Sequence, residues 1–78
     1  MIELSPEYIK DLQNIIEEQD TDKIKALLKD LHPADIAEIY KELSLEEAEF
    51  TYNLLEPVIA AEVLMELEED DRQKLLKH

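Results

Sequence analysis

The sequence has no glycine, no cysteine and only three prolines. Hairpin turns of sheet folds call for positive φ, which glycine supplies most easily, so its absence argues for helices. The same absence removes any glycine-rich phosphate loop or oxyanion turn. Without cysteine there is no disulfide, no thiolate metal site and no thiol nucleophile. No apolar run approaches the roughly 20 residues of a membrane helix. Met1-Ile2-Glu3-Leu4 lacks the basic and apolar regions of a signal peptide. The segment is therefore expected to be soluble, with no membrane insertion of its own.

Positive charge is also scarce. Eight lysines and arginines face 21 aspartates and glutamates, a net charge of -13. Such a surface disfavours nucleic acid and anionic lipid and favours cations and basic protein surfaces. The imbalance is concentrated: Asp30 to Asp71 contains fourteen carboxylates and a single base, Lys41.

What remains is a helix-forming chain. Its 78 residues suffice for one domain, and 45% are hydrophobic, too many for a disordered acidic segment. Alanine, leucine, glutamate and lysine all favour helix. Caps and apolar spacing predict six short helices. The first follows Ser5-Pro6-Glu7, with Tyr8, Ile9, Leu12, Ile15 and Ile16 on one face. The second is capped by Asp20 or Thr21 and carries Ile24, Leu27, Leu28 and Leu31. The third starts at His32-Pro33 and the fourth at Ser44, with Glu47 completing a capping box. The fourth offers Ala48, Phe50, Tyr52, Leu54 and Leu55 to the core. The fifth starts at Glu56-Pro57, and the sixth opens near Asp70. Tyr8, Tyr40, Phe50 and Tyr52 share the apolar spacing and are expected in the core.

The chain also repeats itself. Leu31-His32-Pro33 recurs as Leu55-Glu56-Pro57, 24 residues later. At that offset Ala37 matches Ala61, Glu38 matches Glu62, Glu42 matches Glu66 and Leu43 matches Leu67. Units of two short helices that cannot bury their apolar faces alone stack into solenoids. Three stacked pairs are expected, with an open stacking surface at the C-terminal end because no polar cap follows Leu76.

Catalytic constellations are missing. Only Ser5, Ser44, Thr21 and Thr51 carry aliphatic hydroxyls; Ser5 and Ser44 read as helix caps, His32 before its proline as a residue that caps or packs at a helix start, and His78 as the last residue given. No enzyme activity is expected. The carboxylates are the sharper candidates. Glu38 and Glu42 lie one helical turn apart, as do Glu62 and Glu66, so each pair shares a face and repels. A hard divalent cation relieves that repulsion, and magnesium binds through one or two carboxylates while keeping several waters. A solvated acidic face is the alternative.

Leu31-His32-Pro33-Ala34-Asp35-Ile36-Ala37-Glu38 resembles the opening repeat of the cytosolic N-terminal domain of MgtE-type magnesium transporters. The likeness continues through Glu42-Leu43-Ser44-Leu45-Glu46-Glu47 and Leu54-Leu55-Glu56-Pro57, and is firmest at Ala60-Ala61-Glu62-Val63-Leu64 and Leu67. It covers about residues 20 to 78. The flagellar switch protein FliG has similar helical repeats, so a metal-free scaffold for protein binding is the rival reading.

The resemblance implies an all-α, right-handed superhelix (solenoid) of short helix pairs repeating about every 24 residues. It implies residues 1–78 as one domain, the N-terminal cytosolic part of a longer transporter, truncated before the last repeat and a pair of CBS domains. Its implied partners are those CBS domains and a connecting helix of the same chain, in a homodimeric parent. Its implied cofactor is regulatory Mg2+, bound between domains and favouring the closed pore. Glu62 matches a family position that faces the interdomain magnesium sites, and Glu66 is its neighbour one turn on.

Overall fold

The protein, described from a computed structural model, is resolved in structural terms over residues 5–77. Met1 to Leu4 and His78 lie outside the described residues, and with them the expectations made for that N-terminus and that histidine. Helix starts follow the supply of acceptors for the free amides of a first turn. The Tyr8 amide donates to Ser5 Oγ at 3.2 Å, opening α1 (Pro6–Glu17). The Lys23 amide donates to the Asp20 carboxylate at 3.2 Å, so Asp20 rather than Thr21 caps α2 (Thr21–Lys29). At α4 (Leu45–Tyr52) the exchange is reciprocal. The Glu47 amide donates to Ser44 Oγ at 3.2 Å, and the Ser44 amide donates to Glu47 Oε1 at 2.9 Å.

α3 (Pro33–Glu42) and α5 (Pro57–Glu66) instead begin with proline at the first position, where no amide needs a partner. α6 (Glu69–Leu76) opens one residue earlier than its expected start near Asp70, with Glu68 at the cap and no side-chain cap bond. α1 stops without glycine. Gln19 takes φ of 56°, and its amide and that of Asp20 donate back to the Ile16 and Ile15 carbonyls at 2.9 and 3.4 Å. This is the paired closure that glycine usually permits, achieved by a glutamine in a left-handed conformation.

The architecture is all-α: six helices and no strand among the described residues. α3 packs chiefly on α5, and α4 on α1 and α6 alike. α2, α4 and α6 begin at intervals of 24 residues, and so do α3 and α5. α1 breaks this regularity. It begins 27 residues before α3 and packs on α2 and α4. The helices fill 27 × 27 × 22 Å with a radius of gyration of 11.4 Å, against about 11.5 Å for a globular chain of this length.

One apolar core runs through all six helices. Leu12, Ile24, Ile36, Ile39 and Val63 are fully buried in it. Burying a side chain of this size contributes about 1.5–3 kcal/mol. Tyr40 joins the core, and Tyr8, Phe50 and Tyr52 pack against it half-buried, as their spacing predicted. Leu54 and Leu55 fall beyond the end of α4, in the turn before α5, and are half-buried. Among the described residues the large exposed apolar side chains, Val58, Met65 and Leu76, all belong to the last helix pair.

Candidate functional site

α3 and α5 carry the two carboxylate pairs singled out by the repeat. In both helices the inward positions are filled by apolar side chains. Ile39 of α3 and Val63 of α5 occupy equivalent places and are fully buried. That choice of face turns Glu38 and Glu42 outward on α3, and Glu62 and Glu66 outward on α5; all four are exposed.

The two pairs differ in their surroundings. Glu38 Oε1 lies 3.2 Å from Lys41 Nζ, one turn along α3. That hydrogen bond, and then the charges of Glu38, Glu68 and Asp71, raise the Lys41 ammonium above its ordinary range. Lys41 therefore neutralises one pair locally, although an exposed ion pair of this kind stabilises little. Position 65 is the counterpart of position 41, and there the chain has methionine. Met65 is 80% exposed and offers no charge to Glu62. Among the described residues neither Glu62 nor Glu66 has an ion pair.

Two exposed carboxylates one turn apart, without a local cation, can share a hard cation whose remaining positions hold water or ligands from elsewhere. The pair does not make a complete cage. Among the described residues no group of three or more histidines, aspartates and glutamates is gathered closely enough to hold a metal.

Two features escaped the sequence reading. Thr51 is the one polar residue in the core among the described residues, its hydroxyl donating back to the Ala48 carbonyl at 2.9 Å. Its position three residues after Ala48 was the available signal. Beside it the Tyr40 phenol is raised well above its ordinary range, chiefly by burial, with Thr51 opposing and Tyr52 adding to the rise. Among the described residues the Tyr40 hydroxyl has no hydrogen-bond partner. The second is the exchange of Lys41 for Met65, visible only when the repeat is aligned at positions that are not themselves alike. His32 is exposed at the head of α3, where its amide donates weakly to Asp35 at 3.4 Å. Ser5 and Ser44 are engaged as caps.

No helix among the described residues is long and apolar enough to cross a membrane. No curated protein and no solved structure matches the chain. The family model described as the MgtE intracellular N domain matches residues 31–78, which is 48 of the 78 residues and takes in α3 to α6 with both carboxylate pairs. The chain belongs to the MgtE intracellular N domain family.

Proposed function

We infer that this chain is the cytosolic magnesium-sensing and gating domain of an MgtE-type transporter. It catalyses no reaction. Glu62, with Glu66 beside it, contributes to magnesium sites shared with the CBS pair and connecting helix of a longer, homodimeric parent. The helix pairs stack as a right-handed superhelix that presents this acidic face. The supporting observation is the contrast between equivalent positions. Glu38 has Lys41 as a local cation, whereas Glu62 faces Met65 and keeps its charge for an external one.

The physical logic is electrostatic. A surface of net charge -13 repels another acidic surface until cations bridge the two. Magnesium that binds better across a closed interface than to separated domains favours closure, and falling magnesium releases it. Two carboxylates suit this task because an incomplete site holds its ion only when the partner completes it.

The test is a magnesium titration of the full-length transporter, read as transport or as protease protection of its cytosolic region. Glu62→Ala should shift closure to higher magnesium, and Glu38→Ala should do so much less. Coincident curves for Glu62→Ala and the unmodified protein would remove Glu62 from the sensing site. A metal-free scaffold of the FliG-like kind is the second reading, supported by the exposed Val58 and Met65. It is favoured if neither substitution alters the response to magnesium.

A further inference from the structure

Away from the carboxylate pairs, a groove of about 610 Å³ opens between the C-terminal half of α2 and the turn joining α4 to α5. It lies beside α2, whose principal packing partner is α1. Leu28, Leu31, Leu54 and Ile59 line it. Its α2 rim carries Lys25 and Lys29, one helical turn apart and exposed. Among the described residues neither lysine has an ion pair, in a chain with 21 carboxylates. α2 carries Lys23, Lys25 and Lys29 against Asp22, with Asp20 and Asp30 at its caps. The opposite rim holds Glu56.

We propose that this groove docks an amphipathic helix with a leucine-type apolar face and two carboxylates one turn apart along one flank. The apolar face covers Leu54 and Ile59, which are half-buried, over a floor formed by the buried Leu28 and Leu31. The carboxylates meet Lys25 and Lys29, whose spacing of four residues matches that of acids on one face of a helix. Glu56 on the far rim repels a second acidic flank, so the charge asymmetry fixes which way round the helix lies. A helix suits the groove better than a strand, because the walls are helices and present no sheet edge to extend. An anionic bilayer suits it less, because the rest of the -13 surface repels one. The proposal is independent of magnesium sensing and stands or falls separately.

The probe is a fluorescein-labelled peptide of about 12 residues, roughly three turns, with leucines at helical spacing and two glutamates four apart on one flank. Anisotropy against the 78-residue chain should show saturable binding, and amide shifts should map to residues 25–31 and 53–59. Lys25→Glu with Lys29→Glu should weaken binding by about tenfold or more, since like charges would then face each other. Lys10→Glu with Lys77→Glu makes the same change in net charge at exposed sites outside the groove and should have a much smaller effect. A peptide with serine for leucine should not bind. Equal losses for both double variants, shifts confined to other residues, or no saturable binding would overturn the proposal. So would self-association of the chain that Lys25→Glu with Lys29→Glu abolishes, or groove-dependent capture by phosphatidylglycerol vesicles, which would assign the groove to a second copy or a lipid surface.

Discussion

α3 and α5 are ten-residue helices that begin at equivalent prolines and share much of their sequence, yet they are treated differently by the fold. α3 buries Ile36, Ala37, Ile39 and Tyr40; α5 buries Ala60 and Val63. Ala37 is 3% exposed, whereas Ala61, its counterpart, is exposed. The two helices pack on each other, and the face of α5 that carries Ala61 and Met65 is left exposed. Similar local sequence thus gives a core helix in one place and a presenting helix in another. The same comparison separates the acids. Glu38 has a lysine one turn away, and Glu62 has a methionine.

The contrast is broken most severely by one substitution made twice. Ala37→Asp places a carboxylate without a partner in the core and should cost about 3–5 kcal/mol, enough to unfold a domain of this size. Ala61→Asp should stay within about 0.5 kcal/mol, as exposed substitutions do. Urea denaturation followed by circular dichroism reads both. Similar losses would mean that the outer face of α5 is covered after all.

A smaller effect comes from Tyr40, whose counterpart on α5 is Leu64. Because burial raises the Tyr40 phenol, its contribution is fully present below pH about 10 and is lost as pH rises further. Tyr8 is raised too, by burial and then by Asp35, so the comparison must isolate Tyr40. Tyr40→Phe removes an unpartnered buried hydroxyl and should change stability at pH 7 by about 1 kcal/mol or less. Above pH 10 the variant should lose stability more slowly than the unmodified chain. Parallel losses would show that the phenol is not held neutral by the core.

Much of this was legible in the sequence, for identifiable reasons. Serine, aspartate and proline mark helix starts by local chemistry, so Ser5, Asp20, Pro33, Ser44 and Pro57 placed five helices. Glu68 gives α6 no side-chain cap bond, and the sequence marks the start of that helix only as near Asp70. Leu54 and Leu55 continue an apolar pattern past the end of α4, and periodicity alone does not register where a helix stops. The groove beside Lys25 and Lys29 lies between α2 and the turn joining α4 to α5, a tertiary property that no single-helix pattern carries. For the carboxylates, the spacing of Glu62 and Glu66 was readable at once. The difference between their setting and that of Glu38 required the repeat to be read at its mismatched positions.

The central claim is that Glu62 differs from Glu38 because it lacks a local cation, and it is tested by giving it one. Met65→Lys places an ammonium one turn from Glu62, as Lys41 stands to Glu38, and should alter stability by only about 0.3 kcal/mol. Magnesium is titrated at constant ionic strength while the side-chain carboxyl carbons of Glu38, Glu42, Glu62 and Glu66 are followed by NMR. In the unmodified chain Glu62 and Glu66 should respond at lower magnesium than Glu38 and Glu42, and Met65→Lys should remove that advantage. Equal responses of the two pairs in the unmodified chain, or a Glu62 response unchanged by Met65→Lys, would contradict the account.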